Sequence, residues 1–140
     1  MPPQAIAMHA LRSLLALALA GAAFALGNWA GGELGDRLPL PGGAVRLAWD
    51  LGWVFVAGIA AAWVVAKLAP RAPRLHVLAW CLLLLGVGAC AALRMGDDWP
   101  WWFSAGLLAG APLQGWLGAR LARRRAGGAP RVPRTPPEGT

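Results

Sequence analysis

Few side chains in this 140-residue chain are able to do chemistry, and their spacing works against it. Cys81 and Cys90 lie nine positions apart, which on a helix turning about 100° per residue puts them on opposite faces. They form neither a local disulfide nor a paired metal site. No other Cys exists and the two His supply no ligand spacing, so zinc, haem and redox chemistry lack ligands and no cofactor is expected. No nucleophile–base pair appears in the sequence either, so no enzymatic activity is expected.

The polar residues inside or beside apolar stretches admit milder roles. Asp50 is expected in the outer first turn of a helix, where the N-terminal dipole favours a carboxylate and Arg46 stands one turn away for an i,i+4 pair. Asp97 and Asp98, beside Trp99, Pro100, Trp101 and Trp102, read as a solvated turn capping the next helix rather than as a cation or sugar site. His76 starts an apolar run at an interface, where it meets headgroups. Asn28 and Gln114 are the polar groups within apolar stretches; they lie at different depths and are not expected to pair. Pro112 frees a backbone carbonyl about one turn earlier, and Gln114 can satisfy it or bond to a neighbouring helix.

These groups belong to a chain that is 58% hydrophobic and 14% charged, well outside the balance of a soluble domain. Crossing about 30 Å of hydrocarbon takes roughly 20 apolar residues in a helix, because every backbone polar group must be satisfied internally. Four stretches qualify, at about 13–32, 47–69, 75–93 and 101–121. Gly31 and Gly32 with the run from Pro39 to Gly43 break the first connection, Pro70 and Pro73 the second, and the Gly96 to Pro100 run the third. The fold class is therefore all-α: an antiparallel four-helix transmembrane bundle over residues 1–125. Residues 126–140, polar and rich in Pro and Arg, read as a disordered cytoplasmic tail. The stretch after Arg12 also has the look of a secretory signal peptide, but its apolar run continues through Trp29, which favours an uncleaved helix.

A net charge of +7 raises the question of nucleic acid, and its distribution answers it. Arg12, Lys67, Arg71, Arg74, Arg120, Arg123, Arg124, Arg125, Arg131 and Arg134 fall on one side of such a topology. Arg37, Arg46 and Arg94 fall on the other, with five of the six acids. This asymmetry places both termini in the cytoplasm of a bacterial inner-membrane protein, and no nucleic-acid partner is expected. The Trp residues form two interfacial belts: Trp29, Trp49, Trp53, Trp99, Trp101 and Trp102 near the outer ends, and Trp63, Trp80 and Trp116 near the inner ends. Arg120, Arg123, Arg124 and Arg125 are expected to rest on anionic inner-leaflet lipids as general anchors.

Small-residue motifs are abundant. Gly27, Gly31 and Gly35, and Gly106 with Gly110, make three GxxxG pairs, but 19 Gly in 140 positions predict about 2.5 by chance. Only Gly106 and Gly110 lie wholly inside a span, with Gly115 on an adjoining stripe, and they are expected to mark the closest helix contact of the fourth span. A weak parallel repeat of two helical hairpins is also readable: the run Trp63 to Arg71 parallels Trp116 to Arg124, and Phe55 to Gly58 parallels Phe103 to Gly106.

Residues 56–124 resemble a type of uncharacterised small bacterial four-span protein: a span ending AKLAPR, a His-led third span, a PWWF turn and a fourth span ending PLQGWLGARLA. The resemblance implies architecture and no activity. Small multidrug-resistance transporters fit less well, lacking a match for their first-span carboxylate, as do fluoride channels, whose Gly-rich motif falls here in a loop. The expected function is a non-catalytic accessory or assembly subunit, bound by lipid, that packs on itself or a larger membrane partner through the Gly106 and Gly110 stripe. The alternative is a small homo-oligomeric transporter or channel.

Overall fold

The computed structural model describes residues 3–69 and 71–126. The expected tail, apart from Ala126, lies outside the described residues, as does Pro70. The chain forms α1 (Pro3–Arg37), α2 (Ala44–Leu68), α3 (Pro73–Met95) and α4 (Trp101–Ala126), with a 3-10 turn at Gly96–Asp98, and no strand among the described residues. The all-α expectation holds. By length and composition α1, α2 and α3 are able to cross a membrane, whereas α4, at 26 residues, is long enough but not apolar enough. Its glycines, its three Trp, Gln114, Pro112 and a basic last turn dilute its apolarity.

The end of α1 and the start of α2 differ from the sequence expectation. The first helix runs 35 residues, through Gly31 and Gly32, rather than stopping there. A Gly inside a helix costs about 1 kcal/mol relative to Ala. Here it brings α1 onto α2, since a Cβ at Gly35 would lie 2.8 Å from Trp49 Nε1 and one at Gly31 2.6 Å from Trp53 Cβ. The second helix begins at Ala44, which puts Asp50 in its second turn. The helix dipole fades beyond the first turn, so the ion pair with Arg46, not the dipole, holds this carboxylate.

Glycine contacts define the directions of the helices. On α1, Gly27, Gly31 and Gly35 face Ala57, Trp53 and Trp49 in turn, a descending series that makes α1 and α2 antiparallel. On α4, Gly106, Gly110 and Gly118 face Leu51, Phe55 and Ala62, an ascending series that makes α2 and α4 parallel. Gly88 near Leu107 and Gly115 near Val77 run α3 antiparallel to α4. The central helix is α2, packed most extensively on α1 and α4, while α3 rests mainly on α4 and α1 barely meets α3. The core is built of small side chains, with Ala20, Ala61, Ala62 and Val65 around Val77, Trp80 and Cys81. Where lipid removes the hydrophobic drive between helices, such close approach supplies the association energy by dispersion.

This topology gathers charge at two ends. Arg12, Lys67, Arg71, Arg74, Arg120, Arg123 and Arg124 lie at the end holding the start of α1 and the end of α4. The described acids lie at the other.

Candidate functional site

At the acidic end one guanidinium joins α1 to α2. Arg46 Nη1 donates to Asp36 at 2.6 Å, Nε to Asp50 at 3.2 Å and Nη2 to the carbonyl of Gly32 at 3.4 Å. Beside it, Trp49 Nε1 donates to the carbonyl of Gly31 at 2.9 Å, and its ring sits 6.2 Å from that of Trp53. Sequence reading found the Arg46–Asp50 pair but not the two bonds that reach across to α1, because contacts between helices leave no fixed spacing in a sequence.

Deeper in the bundle all four helices line a half-open cavity of about 220 Å³. Phe24 and Asn28 come from α1, Val54 from α2, Leu84 and Gly88 from α3, and Phe103 and Gln114 from α4. Trp99 also lines it, its ring 4.7 Å from Phe103 in edge contact. The cavity is almost wholly apolar. Asn28 and Gln114 both border it and do not pair, as expected; Asn28 Nδ2 donates instead to the carbonyl of Phe24 at 2.8 Å. Gln114 is only 3% exposed, and its Oε1 accepts no hydrogen bond among the described residues. It reaches α2 by lying over Gly58.

The predicted packing residues are all used inside the chain. Gly106 meets Leu51, Gly110 meets Phe55, and Gly115 meets Cys81 and Val77. The closest approach of α4 is at Gly118, where a Cβ would come within 2.7 Å of the Ile59 carbonyl oxygen and 2.8 Å of the Trp63 nitrogen. That corrects the expectation for Gly106 and Gly110, whose neighbours are side chains. Gly27, Gly31 and Gly35, set aside on chance counting, prove to be contact points throughout.

The Trp residues divide. Trp29, Trp101 and Trp116 are exposed, Trp101 at 81%, and Arg120 lies 5.1 Å over the Trp116 ring. Trp63, Trp99 and Trp102 are half-buried. Trp49 and Trp53 fill the α1–α2 seam. Trp80 is no interfacial anchor: it is 3% exposed, in edge contact with Phe24 at 6.0 Å, and its Nε1 has no hydrogen-bond partner among the described residues. It turns inward because α3 presents Val77, Trp80 and Cys81 to the core on one helical face. His76 likewise serves a contact between helices, its Nε2 lying 2.9 Å from Ser13 Oγ on α1.

No protein-family profile, curated protein or solved structure matches the chain. Among the described residues no cluster of three His, Cys, Asp or Glu stands ready for a metal. Cys81 is buried and Cys90 exposed, consistent with opposite faces. At the basic end, α3 and α4 leave a groove of about 340 Å³ between them, with Arg74 and Arg123 among its walls. Arg120, Arg123 and Arg124 are exposed there, while the Arg125 side chain lies outside the described residues.

Proposed function

We propose that this chain is a four-span protein of the bacterial inner membrane, with α4 as the fourth span and both termini in the cytoplasm. In this reading it acts without catalysis and without a cofactor, as an accessory or assembly subunit that packs on itself or on a larger membrane partner. The charge distribution supports the orientation, since basic residues collect on the cytoplasmic side of membrane proteins. The resemblance to small bacterial four-span proteins belongs to the same reading.

The observation that carries the non-catalytic role is the identity of the buried polar side chain, Gln114, which has only the lone thiol of Cys81 beside it as a buried reactive group among the described residues. A carboxamide neither exchanges a proton near neutral pH nor attacks as a nucleophile; it offers hydrogen bonding and shape. The Gly106 and Gly110 stripe is covered by α2, so the face offered to a partner lies elsewhere. On α1, Leu11, Leu15, Leu19 and Leu26 are exposed while the opposite face packs on α2. Extraction in mild detergent is expected to bring down a second copy or a larger membrane protein. A chain that runs as a monomer without companions overturns this reading.

The cavity bordered by Asn28 and Gln114 favours a second reading, a small transporter or channel. Transport of an ion or small solute in liposomes, abolished by Gln114→Leu, would establish it in place of the first.

A further inference from the structure

We propose that the groove between α3 and α4 is a binding site for one anionic phospholipid, its phosphate on Arg74 and Arg123 and an acyl chain along the groove. The proposal rests on the four-span reading above. It replaces general anchoring by a cluster of basic residues with a specific site.

The groove begins at Arg74 on α3 and Arg123 on α4, and ends at Leu85 and Pro112. Each wall thus runs twelve residues, eleven rises of about 1.5 Å and so about 16 Å from end to end. Half of a hydrocarbon core of about 30 Å is about 15 Å, so the groove has the depth of one leaflet. Its wall on α3 carries Leu78 and Leu82, both exposed, and its wall on α4 carries Trp116, also exposed. Gly115 and Ala119 keep it open by contributing little side chain. A recess of about 100 Å³, reaching Ala66 on α2, shares Arg74, Val77, Ala119 and Arg123 with the groove.

Charge complementarity selects the headgroup. Arg74 and Arg123 are exposed, neither is in an ion pair among the described residues, and the described acids lie at the far end of the bundle. Two guanidinium groups at the head of an apolar channel match a phosphate carrying a net negative charge, which each can bind through paired N–H donors. A zwitterionic headgroup brings its own cation to the same place and gains less. The apolar walls favour a lipid over a free phosphate, which leaves the groove without an occupant.

The test uses full-length protein, purified in mild detergent and stripped of lipid, then offered equal amounts of phosphatidylglycerol and phosphatidylcholine. Native mass spectrometry should show one phosphatidylglycerol retained in preference. At the usual contribution of a basic residue near an anionic surface, removing both charges in Arg74→Gln with Arg123→Gln lowers its retention roughly thirtyfold. Arg12→Gln with Arg124→Gln, equal in charge lost but absent from the groove walls and away from Trp116, leaves retention unchanged. Ala119→Leu, which fills the groove floor, lowers retention with both arginines intact. Equal retention of the two lipids, equal loss in both arginine pairs, or displacement by excess inorganic phosphate overturns the site. Carbonate washing of membranes separates the two levels: a chain that stays in the membrane but shows no preference defeats the site alone. A chain that washes off defeats the four-span reading as well.

Discussion

Gly58 on α2 and Gln114 on α4 share one space: the carboxamide of Gln114 lies where a side chain at position 58 would begin. The pairing explains how a long polar side chain is accommodated in a seam of small residues. It also makes the sign of a mutation informative. Replacing a helical Gly by Ala in open space gains up to about 1 kcal/mol. At Gly58 the new methyl must expel Gln114, and overpacking of this kind costs about 1–3 kcal/mol. Gly58→Ala is therefore expected to destabilise the protein in reversible unfolding from mixed micelles. Gly86→Ala, which meets nothing within 4 Å, should not. Adding Gln114→Ala should recover much of the loss, because the two sites are not independent. Equal behaviour of the Gly58 and Gly86 variants would contradict the shared space.

The α2–α4 seam is expected to be least tolerant at Gly118. A Cβ there meets backbone atoms of Ile59 and Trp63, which move only if the helices separate. At Gly106 the nearest atom is the end of the Leu51 side chain, 2.6 Å from a Cβ, which can rotate away. Gly118→Ala should cost about 2–3 kcal/mol and Gly106→Ala less than about 1 kcal/mol, within the range for overpacked sites. Denaturation midpoints of the two variants, measured side by side, check the order, and a reversed order would place the closest contact where the sequence suggested.

The difference between those two glycines shows what was readable in the sequence. Helix number, direction and the segregation of charge follow from long-range averages, such as run length and the placement of Lys and Arg, and these survive without knowledge of neighbours. The i,i+4 pair of Arg46 and Asp50 was readable for the same reason, being fixed by helical spacing. Contacts between helices were not. Nothing in the sequence says that Gly31 faces Trp53, or that Trp80 turns inward while Trp116 turns outward, because both Trp stand about a turn or two inside the same end. The groove under Arg74 and Arg123 was hidden too, since its walls come from separate helices.

The connection between α2 and α3 holds a strained residue. Ala72 has φ 46° and ψ 59°, left-handed backbone that precedes the Pro73 at the start of α3. The residue before a proline is driven from the right-handed helical region. The left-handed alternative costs an Ala about 1–2 kcal/mol but not a Gly. Ala72→Gly is expected to raise stability by about 1 kcal/mol, net of the added entropy of the unfolded chain. A fall in the unfolding midpoint would count against this backbone geometry.

Arg46 is expected to matter through its reach from α2 to α1. Arg46→Gln removes the links to Asp36 and Asp50 and leaves two carboxylates without their cation. The melting temperature should fall, and the fall should shrink at high salt, since exposed ion pairs are screened. Arg37→Gln, which breaks a more exposed pair with Glu33 at 3.5 Å, should change it little. If both variants melt alike at low salt, the clamp across the helices contributes no more than an ordinary surface pair.

Whether α4 crosses the membrane decides the topology, because its composition alone falls short of α1 to α3. In the proposed four-span reading, its parallel packing along α2, from Leu51 against Gly106 to Ala62 against Gly118, carries it to the same depth as its neighbour. Tight glycine contacts over that distance leave no room for α4 to lie in the membrane plane while α2 crosses. In a background with Cys81→Ala and Cys90→Ala, a cysteine placed at Asp98 should react with an impermeant maleimide on spheroplasts. One placed at Arg124 should react only after permeabilisation. Labelling of both positions from outside would put the two ends of α4 on one side and refute the four-span arrangement.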